Sequence, residues 1–284
     1  MDRNKWLIVL ILAVITGAGI VISAFSQILL LDTLPWLMII AVVFGIASGV
    51  LRARTKKKSA VYKEQVTRHG KGAFLEHWGT ALGIILLIIS GFMIGFLFFP
   101  HFAGTPKAAI FPLNMHYIGI LITFFGGFYF LTDYILSGNF RSLVPNLKDI
   151  INGTLGKYLL RKKWVGESKY LSSQKSAFLL FALLGGMQLV TGSIKVAAHF
   201  WSLPSETLAI TTSIHDVFSL LFIIMLVVHI SMVIIIPSHR ELLKSWFSGK
   251  VSERYAKEYH SAWYEEIKGT AIAGKEKENS EEKA

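Results

Sequence analysis

The sequence predicts an all-α, polytopic membrane protein with six transmembrane helices. Its composition is the first reason: 53% of the 284 residues are hydrophobic, 17% are charged, and the mean hydropathy is +0.53. The second is that apolar runs of about 20 residues, long enough to cross a ~30 Å hydrocarbon layer as helices, occur six times. They cover roughly 6–26, 35–52, 74–99, 112–136, 173–198 and 208–236.

The placement of positive charge is the third reason. The formal net charge is +11, and all but two of the 29 Lys and Arg residues fall at the two termini or in the second and fourth loops between the runs. The exceptions are Lys107 and Lys195. Because loops rich in Lys and Arg stay in the cytoplasm, both termini are predicted to be cytoplasmic. Topology and anionic lipid headgroups therefore explain the basic charge, and nucleic-acid binding is not indicated.

Residues 1–55 are predicted to form an N-terminal two-helix membrane hairpin. The first run follows MDRNK, as a signal peptide would, but it exceeds a signal core of about 7–15 residues and no cleavage site follows, so an uncleaved helix is expected. Gly45 and Gly49 form a GxxxG pattern that permits close helix approach, although glycine is also common in membrane helices. The hairpin looks like an accessory to the rest of the chain.

The remaining chain is predicted to contain three parts and no soluble domain of useful size. Residues 56–72 form a basic cytoplasmic linker, 73–247 a four-helix core, and 248–284 a cytoplasmic tail. The highly charged end of the tail, GKEKENSEEKA, is predicted to be disordered. Between the fourth and fifth runs, apolar residues recur at roughly helical spacing within 137–172, which favours an amphipathic surface helix. The absence of cysteine excludes iron–sulfur clusters and disulfides supplied by this chain.

Depth in the membrane divides the nine histidines into two groups. The predicted topology places two near the inner surface and two near the outer surface, within the spans. The inner ones are His77 and His229, and the outer ones are His116 and His215. Five others fall in loops or at interfaces and are expected to be solvated or to face a partner: His69, His101, His199, His239 and His260.

His215 and His229 share the stretch SIHDVFSLLFIIMLVVHIS of the sixth span. Their separation of fourteen residues, at ~100° and ~1.5 Å per residue, places both on one side of a helix, about 21 Å apart. Neutral imidazole is an axial ligand of haem iron, so this helix is predicted to serve two stacked haems. His77 would complete the inner site and His116 the outer one.

Other interpretations of these histidines stay open. A single intramembrane histidine more often forms a hydrogen bond to a neighbouring helix. Four such histidines would also suit a histidine-based transporter without haem. Transport sites usually add Asp or Glu near mid-membrane, and the centres of these spans contain neither. Glycines are predicted to leave room for the porphyrins at Gly83, Gly119 and Gly192, with helix packing as the alternative for each.

The segment from about residue 68 to about residue 268 resembles the gamma subunit of membrane-bound formate dehydrogenase, a di-haem cytochrome b. Short motifs carry this resemblance along the core and into the tail. They are HW at His77–Trp78, SG at Ser90–Gly91, KYLSSQK at Lys169–Lys175, VTG at Val190–Gly192 and GKVSERYAKEYHSAWYEEI at Gly249–Ile267. The tail is the most specific match. The core alone would also suit cytochrome b subunits of hydrogenases or sulfur-compound reductases.

The resemblance implies an electron-transfer role in the bacterial cytoplasmic membrane. Electrons would pass from an iron–sulfur subunit on the outer face, fed by a molybdenum or tungsten catalytic subunit, through two b haems to menaquinone near the cytoplasmic side. The chain would have no formate-oxidising site and no catalytic residue of its own. Quinone binding would involve His229, Ser173 and Gln174. The family has Asn and Gly in its quinone pocket where this chain has Leu171 and Ser173.

Overall fold

In this computed structural model, the six apolar runs form six long helices. The structure describes residues 3–56, 59–96, 104–161 and 166–269. Each of the six is long and apolar enough to span a membrane, which confirms the predicted all-α, multi-pass fold. They are α1 (Arg3–Phe25), α3 (Leu37–Thr55), α4 (Lys71–Ile94), α5 (Pro106–Leu136), α6 (Ser172–Phe200) and α7 (Ser205–Ile235).

Shorter elements connect and follow these helices. A single turn, α2, joins α1 to α3, and three short strands and two short helices lie outside the apolar runs. They are α2 (Leu30–Thr33), β1 (Val61–Tyr62), β2 (Gln65–Thr67), α8 (Arg240–Ser248), β3 (Lys250–Ser252) and α9 (Glu253–Tyr259). Residues 261–269 are also helical.

The segment 137–172 does not form one long surface helix over its described residues. It contains a 3₁₀ turn at Phe140–Ser142 and an eight-residue π-helix at Asp149–Gly156. Pro145 removes a backbone donor before the π-helix, and Gly156 at its end lowers helix propensity. These breaks explain why the helical spacing of the apolar residues produces only short pieces.

The chain divides into two compact units. The first unit comprises Met1–Thr55, Lys71–Ser137 and Ala182–Val227. The second unit comprises Lys56–Gly70, Gly138–Phe181 and Val228–Ala284, of which the final residues 270–284, including the charged end of the tail, lie outside the described residues.

In the first unit, α5 packs against both α3 and α4. A Cβ atom added at Gly45 would lie 2.6 Å from Phe125 O, and one at Gly49 would lie 2.7 Å from Tyr129 O. Only glycine permits this approach of α3 to the backbone of α5. The GxxxG pattern is therefore used for a close helix contact.

The contact between α4 and α5 also depends on glycine. A Cβ at Gly83 would lie 3.1 Å from Gly119 O, and a Cβ at Gly119 would lie 3.2 Å from Gly83 O. These two glycines, predicted to lie beside a porphyrin, thus face each other across a helix contact. Helix packing, the alternative interpretation, accounts for both positions.

The second unit contains a three-stranded antiparallel sheet in the order β1-β2-β3. Val66 of the predicted linker pairs with Val251 of the predicted tail. Gly249, with φ +83°, ends α8 in the left-handed conformation that favours glycine and lets the chain enter β3. The sheet and helices bury an apolar core made of Val66, Leu171, Leu242, Val251, Tyr255, Ala256, Trp263, Tyr264 and Ile267. Linker and tail therefore fold together.

Candidate functional site

His116 of α5 is held by a hydroxyl group of α4. Its Nδ1 lies 2.9 Å from Ser90 Oγ, and that hydroxyl also lies 2.6 Å from Leu86 O. A carbonyl only accepts, so Ser90 donates its single proton to Leu86 O and accepts a hydrogen bond from Nδ1–H of His116. This assignment leaves Nε2 of His116 with its lone pair, the form of imidazole that binds a metal.

His215 of α7 has the same arrangement with α6. Its Nδ1 lies 2.8 Å from Thr191 Oγ1, which in turn lies 2.7 Å from Met187 O. By the same proton count, Thr191 accepts from Nδ1–H, and Nε2 of His215 keeps its lone pair. His215 and His116 also lie within electrostatic range of each other. The first unit thus brings the two outer histidines near each other in the same tautomer.

The backbone around His215 is also fixed between α6 and α7. Gln188 Nε2 donates to His215 O at 2.9 Å, and Ser219 Oγ lies 3.2 Å from Gln188 Oε1. A Cβ at Gly192 would lie 3.8 Å from Cε1 of His215, an ordinary contact distance. Gly192, the third glycine predicted to leave room for a porphyrin, therefore lies beside the His215 ring.

The two inner histidines belong to different units. His77 on α4 makes an edge contact with Trp78, with ring centroids 5.2 Å apart, and His229 on α7 makes one with Phe181 at 5.6 Å. Helix α7 is continuous from Ser205 to Ile235. The predicted rise of about 21 Å from His215 to His229 therefore applies within one uninterrupted helix.

Two further glycines share a helix face with a histidine. Gly91 follows His77 by fourteen residues on α4, and Gly127 follows His116 by eleven on α5, so at ~100° per residue each lies on the face of its histidine. No described residue comes within 4 Å of a Cβ added at Gly91 or Gly127. Each helix thus has a histidine at one level and an open glycine at the other. Counting ~100° per residue along each helix from its histidine would have identified both glycines from the sequence alone.

Ser90 and Thr191 are the functional candidates that the sequence did not reveal. Ser90 belongs to the SG motif and Thr191 to the VTG motif, but nothing in the sequence pairs Ser90 with His116 or Thr191 with His215. Each pairing joins two different helices, so it depends on how those helices pack. A hydroxyl residue on a span adjacent to an intramembrane histidine is the signal that could have indicated them.

A hydrogen-bond chain in the second unit includes one predicted quinone-site residue. Ser173 Oγ lies 3.2 Å from Tyr158 Oη, which lies 3.0 Å from His239 Nε2, while His239 Nδ1 lies 3.2 Å from Met232 O. Because a carbonyl only accepts, Nδ1 of His239 donates and Nε2 accepts from Tyr158. Burial lowers the pKa of His239, which keeps the ring neutral as this arrangement requires.

The other predicted quinone-site positions have structural contacts. Gln174 Oε1 accepts from Leu171 N at 3.0 Å and from Arg68 Nη2 at 3.4 Å. Leu171 itself is only 1% exposed and belongs to the apolar core of the second unit. His229, Ser173 and Gln174 all lie in this unit.

Three loop histidines are buried, so the prediction that they are solvated or face a partner was wrong. His69, His239 and His260 are 7%, 6% and 0% exposed. The pairing of linker and tail brings His69 against Trp246 and His260 against Arg68, whereas His239 is covered by Tyr158. His199 instead pairs with Asp32, and His101 lies outside the described residues.

His260 makes the second unit sensitive to acid. Burial, with a smaller contribution from the Arg68 cation, lowers its pKa from 6.5 to about 3. The folded chain thus leaves His260 neutral at pH values where the unfolded chain protonates it. The free energy of unfolding should fall as pH drops below about 6.5, by up to about 1.4 kcal/mol per pH unit.

The measurement is thermal unfolding between pH 7.5 and 4.5, followed by tryptophan fluorescence, since Trp246 and Trp263 both lie in this unit. His260→Gln should make the pH dependence shallower, with the remainder due to His239, whereas His199→Gln, at an exposed position, should preserve it. An equally steep dependence in His260→Gln would contradict the assignment.

Residues 68–249 match the family model described as prokaryotic cytochrome b561. The chain belongs to this family. The match includes all four intramembrane histidines and excludes the N-terminal hairpin.

Two relatives have informative names. The Haemophilus influenzae protein named formate dehydrogenase, cytochrome b556 subunit is 29% identical over 217 residues, covering 71% of this chain and 83% of the relative. The Escherichia coli K12 protein named formate dehydrogenase, nitrate-inducible, cytochrome b556(Fdn) subunit is 28% identical over 216 residues, covering 71% and 91%. The predicted resemblance to formate dehydrogenase cytochromes is thereby confirmed.

Membership of the cytochrome b561 family implies haem b, and the donors in this chain fit that group. Imidazole binds haem iron through a ring nitrogen with a free lone pair, and the tautomers of His116 and His215 provide it on Nε2. A hydrogen bond from the other ring nitrogen fixes the orientation of a ligand imidazole and tunes its basicity, and Ser90 and Thr191 accept such bonds from His116 and His215. Both rings lie on long apolar helices, a setting that suits a porphyrin.

Proposed function

We propose that this chain is the membrane cytochrome b subunit of a formate dehydrogenase-like complex. The matched relatives are named as such subunits, and the alignments cover most of their length. The observation within this chain that carries the proposal is the pair of hydroxyl-bound imidazoles, His116 with Ser90 and His215 with Thr191. Two such rings would close both faces of one iron, so the site would transfer electrons and would not bind oxygen.

The chain would carry two b haems at two levels. His116 and His215 would hold the outer haem, and His77 and His229 the inner one. Support comes from the phase and spacing of the two histidines on α7 and from the open glycines, Gly91 and Gly127, on the other helices. When bound, haem supplies reversible one-electron chemistry at each level. The protein residues supply the ligands, exclude water and set the distance between the levels.

The proposed partners lie on the outer face. An iron–sulfur subunit would deliver electrons near His215, and a molybdenum or tungsten catalytic subunit would feed it, leaving this chain without a formate-oxidising site. The distribution of Lys and Arg supports this orientation, with both termini in the cytoplasm of a bacterial cell. Lys195 lies within electrostatic range of both outer histidines, and its positive charge suits a haem propionate.

Menaquinone would be reduced near the inner haem, beside His229, Ser173 and Gln174. Quinone reduction consumes protons, and the chain Ser173–Tyr158–His239 offers neutral hydrogen-bonding groups in the same unit as His229. Leu171, which replaces the family Asn, packs in the apolar core and offers no side-chain hydrogen bond. Ser173 would turn its hydroxyl from Tyr158 to the quinone carbonyl and donate to it in place of that Asn, while Tyr158 stays hydrogen-bonded to His239.

Absorption spectra of the purified protein, oxidised and dithionite-reduced, test the proposal. Low-spin b-type spectra should accompany haem at about two per chain, as four histidine ligands require. A colourless protein that is folded and was expressed with haem supplied would instead favour the transporter interpretation. Co-purification followed by mass spectrometry tests the partners: a hydrogenase or sulfur-compound reductase in place of a formate dehydrogenase would reject the proposed complex.

A further inference from the structure

The N-terminal hairpin, α1 to α3, lies outside the family match at residues 68–249. We infer that this hairpin is a clamp on α4 and α5 that positions the haem-ligand histidines His77 and His116, with Asn114, Tyr117 and Arg52 as the positioning residues. The inference rests on the proposed ligand roles of those histidines. Its basis is that the hairpin is anchored next to each of them.

The outer anchor is formed by Asn114 and Tyr117, which flank His116 in the sequence of α5. Asn114 is 1% exposed, and both ends of its amide contact the turn of the hairpin: Oδ1 accepts from Leu30 N at 2.8 Å, and Nδ2 donates to Ile28 O at 3.0 Å. Tyr117 is 3% exposed and its hydroxyl donates to Leu34 O at 2.6 Å. A buried amide and a buried phenol on α5 thus obtain their hydrogen bonds from the hairpin backbone.

The direction of these contacts makes them relevant to His116. Successive residues of a helix point ~100° apart, so Asn114 and Tyr117 share one side of α5 and His116 points well away from it, toward Ser90. The hairpin therefore contacts the side of α5 away from the ligand. Loss of this contact would let α5 rotate or tilt, which would change the angle of the imidazole.

The inner anchor lies beside His77. Arg52, near the end of α3, has its Nε 3.6 Å from Glu76 Oε1 and 3.3 Å from Asp133 Oδ2. Glu76 and Asp133 are 4% and 0% exposed, and they lie on α4 and α5 respectively. One guanidinium of the hairpin thus joins both ligand helices, and one of its partners is the residue next to His77. A buried carboxylate requires such a cation.

The helix contact between the anchors completes the clamp. Gly45 and Gly49 bring α3 against the backbone of α5 from Phe125 to Tyr129, and Gly19 of α1 contacts Ile118. The hairpin therefore contacts α5 at its outer end, in its middle and at its inner end. Such a contact restricts sliding and rotation of α5, on which the height and direction of His116 depend.

Variants at each anchor should affect one haem and spare the other. The full-length protein is purified with haem, and haem content, midpoint potentials and low-spin EPR spectra are measured, since g values depend on the angle between the two imidazole planes. Tyr117→Phe, which removes one hydroxyl and keeps the ring, and Asn114→Leu should shift the EPR signal and potential of the outer haem only. Arg52→Met should shift those of the inner haem only.

Matched variants separate positioning from general stability. Thr105→Ala removes the cap that accepts from Ala108 N at the outer end of α5 without touching the hairpin, so both haem signals should stay unchanged. Arg52→Lys keeps the positive charge and should restore the inner signal toward that of the wild type.

Three outcomes would overturn the clamp. In a wild-type protein with two haems, unchanged signals in Tyr117→Phe, Asn114→Leu and Arg52→Met would reject it while leaving the proposed function intact. Equal shifts of both haems in every variant would show that the hairpin only stabilises the fold. A wild-type protein without haem would reject the proposed function, and the clamp with it. If Asn114→Leu does not fold, Tyr117→Phe still decides the outer anchor.

Discussion

Replacing His116 with alanine is expected to reduce the haem content from about two per chain to about one, because the proposed pairing makes His116 an axial ligand of the outer haem. His215→Ala should remove the same haem, and the double variant should lose no more than either single variant. His77→Ala and His229→Ala should each remove the other haem. Pyridine haemochrome assay of the purified variants measures the content, and redox titration identifies which haem remains.

Two further variants serve as controls for the loss of haem. Ser90→Ala keeps the ligand and removes the hydroxyl 2.9 Å from its Nδ1, so both haems should stay bound while the potential of the outer one shifts. His199→Ala, outside the proposed sites, should keep both haems with unchanged spectra. Retention of two haems in His116→Ala, or loss of different haems in His116→Ala and His215→Ala, would refute the proposed pairing.

Substitution of Gly83 is expected to disrupt the whole α4–α5 pair. A Cβ there would lie 2.9 Å from Thr123 N and 3.1 Å from Gly119 O, both backbone atoms that cannot rotate away. Gly83→Leu should therefore destabilise the protein by about 1–3 kcal/mol or more. Because α4 and α5 carry His77 and His116, both haems should be lost together. Thermal unfolding followed by circular dichroism, with haem absorbance in parallel, measures both effects.

Gly91→Leu is the matched variant on the same helix. A Cβ at Gly91 meets no described residue within 4 Å, so the packing of α4 against α5 should survive. Gly91 shares the face of His77 about 21 Å toward the outer side, so the leucine side chain should displace the outer haem and spare the inner one. If Gly83→Leu and Gly91→Leu gave the same loss, the distinction between packing glycines and open glycines would fail.

The membrane fold was predictable because its physical cause is local. Every backbone polar group within lipid must be satisfied inside its own segment, so a long apolar run has little choice but to form a helix. The six predicted runs accordingly coincide with six helices, with differences confined to their ends. The phase of His215 and His229 was predictable for the same reason, since both lie on one continuous helix.

Predictions that depended on contacts between distant segments were less successful. The linker and the tail pair as β2 and β3 although about 180 residues separate Val66 from Val251. The apolar alternation in such short strands is too weak to indicate a partner, so the burial of His69 and His260 was missed, as was that of His239 against Tyr158. For the same reason the contacts of Asn114 and Arg52 with other helices could not be seen in the hairpin sequence.

The sequence by itself determined the number of spans and predicted the levels of the four intramembrane histidines and the chemistry they offer, because hydropathy and helical phase are properties of single segments. Only the tertiary structure decided which hydroxyl sets the tautomer of each outer histidine, which glycines pack and which stay open, and that the hairpin is anchored beside His77 and His116. Those features arise where two helices meet, and the packing of one helix against another is not encoded in either helix alone.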